Sequence, residues 1–241
     1  SFPTRRSSDL VGRNPQEYPT VSIENGIDGS RAIKLETKST GQFGETVKMP
    51  IAAGNLFLGS FDVNNAVQKP LKATLFGLPF GKKPLKFKGY YKYVPGTQSF
   101  KAKDKNGNTV TISRQEDEGD IYAVLYEAAG LDGKVLDGNN VLTSKNIVAL
   151  ARVEVEKTDR YIEFETSFQY GERKEISWPQ FIYRDPSDDG TGKYLRFSEE
   201  KMKNYEYNLA VVFTSSKYGA YFAGSVGSTL CIDKVEIVCE K

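Results

Sequence analysis

Histidine is absent from all 241 residues. That excludes a Ser-His-Asp triad, a Cys-His dyad and every His-ligated zinc or iron site. Any catalysis must rest on carboxylates, Lys, Tyr or Ser, and glycoside hydrolysis is the chemistry that manages most naturally with carboxylates alone. Cysteine occurs twice, as Cys231 and Cys239, eight residues apart in what reads as one terminal strand. At about 3.3 Å per residue they stand far beyond disulfide reach, so free thiols are expected. A surplus of either charge is missing as well: 33 Lys and Arg face 31 Asp and Glu, for a formal net charge of +2. No basic field is present to hold nucleic acid. No apolar run approaches transmembrane length.

What the sequence does have is aromatic side chains, 14 Tyr and 14 Phe, which favour strands and half-wet surfaces. Runs with period-2 alternation or dense β-formers recur between turn signals. Strands are expected at Arg31 to Thr37, Asn55 to Asp62, Leu71 to Phe76, Pro84 to Val94, Asp120 to Glu127 and Ile147 to Val155. Further strands are expected at Tyr161 to Tyr170, Tyr205 to Ser215 and Thr229 to Val238. Asn106-Gly107 marks a hairpin between Phe100 to Lys103 and Thr109 to Ser113. Gly59 suggests a bulge or a close backbone approach. Glu199 to Asn204 reads as one helical turn, and Val11 to Gly29 as an irregular lead-in. Roughly ten short strands without a long amphipathic helix predict an all-β fold, a sandwich or barrel, in one domain.

The first ten residues, SFPTRRSSDL, match one reading frame of a common sequencing-adapter oligonucleotide without interruption. Ser1 to Leu10 are therefore set aside as an artefact of a metagenomic fragment, outside the fold. Residues 11–241 are expected to form the single domain, near neutral in charge. The natural N-terminus, with any export signal, is expected to be missing.

Four stretches carry a family resemblance: IAAGNLFLGSFD (Ile51 to Asp62), PLKATLFGLPFGKKPLKFKGYYKYVPG (Pro70 to Gly96), DIYAVLYE (Asp120 to Glu127) and NLAVVFTSSKYGAYFAGSVGSTLCIDKVEI (Asn208 to Ile237). In this order they resemble the bacterial putative carbohydrate metabolism domain, from about Gly26 to the C-terminus. One departure is Tyr161, where the family often carries Trp. The resemblance implies a jelly roll similar to carbohydrate-binding modules. It also implies a secreted, periplasmic or lipid-anchored outer-surface protein of gut bacteria, often with an Ig-like domain upstream.

Sugars lay flat C–H patches on aromatic rings and exchange hydrogen bonds with nearby polar groups. Tyr90, Tyr91 and Tyr93 in GYYKY and the single Trp178 in ISWPQFIYRD are the carbohydrate-binding candidates. Tyr91 and Tyr93 share a strand face with Phe87, so that face reads either as core or as a binding strip, and Trp178 as a rim platform or a core cap. The acidic cluster Glu116, Asp117, Glu118 and Asp120 reads as a solvated turn, with paired catalytic carboxylates or a calcium site as the alternative. Asp185 to Gly190 reads as a polar turn, because Arg196 stands where an EF-hand needs its bidentate Glu. Carbohydrate-binding jelly rolls often hold a structural calcium with an Asp near the last strand and carbonyls of an N-terminal loop. By that likeness Asp233 is the metal candidate, facing Asn25 to Gly29; the other reading is a carboxylate accepting backbone hydrogen bonds. The expected function is a non-catalytic module binding a polysaccharide or oligosaccharide. A carboxylate-based glycoside hydrolase or lyase is one alternative, and a structural or adhesive surface module the other.

Overall fold

Along Pro84–Val94 the side chains alternate, with Phe87, Tyr91 and Tyr93 buried and Lys86, Lys88, Tyr90 and Lys92 turned the other way. This period of two places the strand at the centre of a half-buried sheet. The computed structural model describes residues 17–66, 68–128 and 135–241; Ser1 to Leu10 lie outside them. Its first sheet runs in the order Thr20–Ile23, Ala32–Glu36, Thr229–Cys239, Pro84–Val94, Thr158–Ser167. The second runs Gln169–Tyr170, Ile147–Val153, Asp120–Glu127, Tyr207–Thr214, Asn55–Phe57, with Leu78–Pro79 also paired to Tyr207–Thr214. All pairings are antiparallel. The inner faces meet over one core that joins Leu35, Phe87, Tyr93, Leu230 and Ile232 to Ile121, Leu125, Leu209 and Phe213. The result is a jelly-roll β-sandwich.

Asp120–Glu127 is a continuous run of β-formers because both of its faces are covered. Ile121, Ala123 and Leu125 enter the core between the sheets. Tyr122, Val124 and Tyr126 pack outward beneath Phe76, from the short strand Thr74–Phe76, and beneath Leu136, Val141 and Tyr194, from connecting segments laid over the second sheet. That outer layer matters for the site, since it closes only part of the sheet's outer face.

Several elements depart from the sequence reading. Thr20–Ile23 is a strand, paired with Ala32–Glu36, within what reads as an irregular lead-in. Asn55 to Asp62 is two strands: Asn55–Phe57 joins the second sheet, while Gly59–Phe61 pairs with Thr74–Phe76. The break falls at Gly59, where φ is +151° and a Cβ would lie 2.1 Å from the carbonyl oxygen of Leu75. Only glycine fits so near a neighbouring backbone. Leu71 to Phe76 begins as a helical turn, Pro70–Ala73, with Pro70 in its first turn. The Tyr161 to Tyr170 segment changes sheets at Phe168, from Thr158–Ser167 to Gln169–Tyr170. Ile162, Phe164, Phe168 and Tyr170, alternate residues of this segment, all pack on the main core.

Cys231 and Cys239 are both free and both lie in Thr229–Cys239. Among the described residues no helix is long and apolar enough to cross a membrane.

Candidate functional site

Where the outer loops leave the second sheet uncovered, a cleft of about 1370 Å³ opens. Its floor is made by alternate residues of three neighbouring strands. Tyr122 stands opposite Arg152 on one side and Val212 on the other, and Asp120 stands opposite Thr214. Asp120 lies two residues before Tyr122 on the same face, so it meets the Arg152 side chain diagonally. The contact is bidentate: Nε and Nη2 of Arg152 donate to the two carboxylate oxygens at 2.9 and 2.7 Å. Burial works against the Arg152 charge, but the Asp120 carboxylate outweighs it and raises the guanidinium pKa above its ordinary value. For Tyr122 burial acts in the other sense: aided by the Asp120 charge, it pushes the phenol up.

Trp178 lines the cleft from the loop side. The guanidinium carbon of Arg184 lies 4.8 Å from the ring centroid, and the Tyr221 and Tyr218 rings stand at 5.9 and 6.3 Å. Arg184 is itself held by a two-oxygen contact with Asp189 and by donation to Thr143 Oγ1 at 2.9 Å. The Asp185 to Gly190 turn thus anchors the arginine that fixes the indole. The ring is partly exposed and its orientation is set in advance, an arrangement suited to an aromatic platform.

The acidic segment before the Asp120 strand is only partly the solvated turn expected. Asp117 is buried and accepts from Ser216 Oγ (2.6 Å), Ser228 Oγ (2.7 Å), Ser225 N–H (2.8 Å) and Glu118 N–H (2.9 Å). It ties the loops around 117, 216 and 225–228 into one rim. The exposed Glu118 pairs with Lys217 at the cleft edge.

Sequence comparison with protein families matches the putative carbohydrate metabolism domain over residues 4–238. The chain belongs to this family. A crystal structure described as a putative glycoside hydrolase of Bacteroides thetaiotaomicron is 42% identical, with a TM-score of 0.78 over 96% of this chain and 60% of that one. A second, described as a putative glycoside hydrolase of Bacteroides vulgatus, is 35% identical, with a TM-score of 0.75 over 96% of this chain and 82% of that one. This putative carbohydrate metabolism domain therefore spans less than two thirds of the first relative. No curated protein matches it.

The structure separates the four aromatic candidates rather than gathering them. Tyr91 and Tyr93 are each 2% exposed and belong to the core between the sheets, so they are withdrawn as sugar contacts. Their face is the one with Phe87, which the opposing sheet covers. Tyr90 points to the outer face of the first sheet, in register with Glu163 and Asp233, and does not line the cleft. Only Trp178 reaches it. The sequence reading overlooked Tyr122, Tyr218, Tyr221 and Arg152. One signal was present: Arg152 is the lone charge in the otherwise apolar Ile147–Val153.

Asp233 does face the predicted N-terminal loop, yet its surroundings do not fit calcium. Oδ2 accepts the Ile27 N–H at 2.7 Å and the Ser30 hydroxyl, and Oδ1 accepts the Lys234 N–H at 2.8 Å. The Lys234 ammonium lies in the same loop region, paired with Asp28 at 2.7 Å. The partners of both Asp233 oxygens are hydrogen-bond donors, and the Lys234 ammonium already balances the neighbouring Asp28 carboxylate, so the charge here is met without a cation. The metal assignment is therefore corrected to a structural carboxylate. Burial opposes its charge, but the Ser30, Ile27 and Lys234 donors prevail and hold its pKa below the ordinary aspartate value. A depressed pKa contributes stability that is present above the unfolded value and lost as pH falls through the folded one. We expect a chelator to leave the melting temperature unchanged, while Asp233→Ala costs about 1–3 kcal/mol. The cost should shrink as acid protonates the wild-type carboxyl. Thermal melts with and without EDTA at two pH values check both; a chelator-induced drop would restore the calcium reading.

Proposed function

We propose that this domain is a glycan-binding module whose site is the cleft over the second sheet. The observation that carries the reading is Trp178, held by Arg184 and edged by two tyrosines above a polar floor of Asp120, Tyr122 and Arg152. An aromatic wall with a few placed polar groups is what a sugar ring requires. Family membership supports a carbohydrate ligand, and the near-balanced charge offers nothing for nucleic acid. Under this reading the domain binds a polysaccharide or oligosaccharide without cleaving it, in a secreted, periplasmic or outer-surface setting.

A stacked indole contributes about 1–2 kcal/mol through the apolar area it covers. Trp178→Ala should thus weaken binding about tenfold. The fold should survive, because Trp178 packs on the satellite cluster of Phe100 and Ile182 rather than on the main core. Calorimetry against a glycan panel, with melts of the variant alongside, is the test. Absence of binding to every glycan at millimolar concentration would refute the reading. So would an unfolded Trp178→Ala protein.

A second reading is hydrolysis, favoured by the carboxylates of Glu118, Asp120, Glu154 and Glu175 around the cleft and by the descriptions of the two Bacteroides relatives. Release of reducing sugar by the purified domain would establish it in place of simple binding.

A further inference from the structure

We infer that the cleft takes an uncharged glycan segment several sugar units long, and that Arg152, set by Asp120, is the residue that reads its hydroxyls. The inference rests on the glycan-binding reading and adds the ligand class and the polar contact.

Length follows from size. Sites for single small molecules occupy about 300–1,000 Å³, and this cleft is larger, at about 1370 Å³. It is also open to solvent above three strands and bounded by loops, so a chain can enter and leave it.

Charge follows from the pairing around the cleft. Three cations line it, Arg152, Lys174 and Lys217, against four carboxylates. Arg152 is committed to Asp120 and Lys217 to Glu118. That leaves Lys174 as one cation against the two carboxylates of Glu154 and Glu175, an excess of negative charge. A uronate or sulfated chain would lose water from its own anions and find no free guanidinium fork to replace it. An uncharged chain loses nothing of that kind.

The hydroxyl contact follows from what Arg152 has left to give. Asp120 is 3% exposed and has both oxygens on the guanidinium, so it faces the protein. Arg152 keeps 24% of its side chain exposed in the cleft, and its Nη1 bonds no described protein group. A guanidinium carries five N–H donors in a rigid fork; here two are spent inward, and three remain, the Nη1 pair and the second N–H of Nη2. The ion pair as a whole is neutral, and the fixed donors suit hydroxyl oxygens rather than a second carboxylate.

The test uses the full chain. Binding is measured by calorimetry against neutral β-glucan, xylan and mannan, a polygalacturonate, a sulfated glycan and chitosan oligomers. The expected result is binding to at least one neutral glycan and to neither the polygalacturonate nor the sulfated glycan, with chitosan, the cationic control, bound no more tightly than the neutral chain. The dissociation constant should change less than about twofold between 0.05 and 0.5 M NaCl, since an uncharged ligand has no charge to screen. Replacing Arg152 alone leaves a buried carboxylate unpaired, so the informative variant is the double Asp120→Leu/Arg152→Met, which removes both charges. It should keep its melting temperature and bind about tenfold more weakly. Should it fail to fold, Arg152→Lys decides: it retains the charge but loses the outward donors, and should weaken binding comparably. Binding confined to charged glycans would overturn the inference while leaving the glycan reading intact. A folded variant that binds like wild type would overturn the role of Arg152. No glycan bound at all would refute both readings together.

Discussion

Asp117→Ala should lower the stability of the domain by about 3 kcal/mol or more, well beyond an ordinary surface change. The carboxylate is 3% exposed and takes four hydrogen bonds, two from serine hydroxyls and two from backbone N–H groups. Removing it orphans the Ser225 N–H in a buried place, at about 1–3 kcal/mol for each donor left unpaired. The hydroxyls recover part of their loss, for Ser216 Oγ also meets Thr37 Oγ1 at 2.6 Å. Asp117→Asn should cost less, because it keeps an acceptor and removes a charge that burial disfavours. Burial raises the Asp117 pKa above its ordinary 3.8, although Ser216, Ser225 and Ser228 pull the other way. A raised carboxyl binds its proton more tightly in the folded state, so between the unfolded and folded values stability falls as pH rises. Asp117 therefore does not drive acid unfolding; Asp233, with its depressed pKa, contributes to it. Urea titrations of the alanine and asparagine variants at neutral and acid pH measure all of this. An alanine variant within about 0.5 kcal/mol of wild type would mean that the loops do not depend on this carboxylate.

Tyr93→Ala should cost about 3–5 kcal/mol, as for other large aromatic residues emptied from a core. Tyr93 is 2% exposed, packs with Leu230 and Ile121, and lies so near Gly119 that a Cβ there would sit 3.0 Å from the ring. Burial pushes its phenol pKa above the ordinary tyrosine range. Tyr93→Phe removes only the hydroxyl, which donates to the Ser215 carbonyl at 3.3 Å. That change should cost about 0.5–1.5 kcal/mol and leave glycan binding unchanged. The contrast with Trp178 is the point of the experiment: one aromatic is lost from stability, the other from affinity. A Tyr93→Ala protein that keeps wild-type stability and loses glycan binding would return this residue to the site.

Strand existence and face parity were legible in the sequence wherever the pattern was strong. Pro84–Val94 and Asp120–Glu127 have the bounds expected, and the Asn106-Gly107 turn joins Lys101–Lys103 to Thr109–Thr111. Parity also separated Tyr90 from Tyr91 and Tyr93, since alternate residues of a strand face opposite ways. The errors came where local pattern is weak. Thr20–Ile23 is an edge strand of mixed exposure, and Asn55 to Asp62 looks continuous because the break at Gly59 is imposed by the Leu75 backbone.

The sequence by itself thus determined the all-β class, the division of the long strands into two alternating side-chain sets, and the absence of histidine chemistry. Only the tertiary structure decided which face of Pro84–Val94 meets another sheet, and so which tyrosines are core. It alone brought Asp120, Arg152 and Trp178 to one cleft from segments far apart in the chain, and turned Asp233 toward donors rather than carbonyls. The reason is physical. Alternation is set by the backbone of a single strand, whereas burial, partnership and the opening of a cleft depend on which distant segments the packed sheets and loops bring alongside.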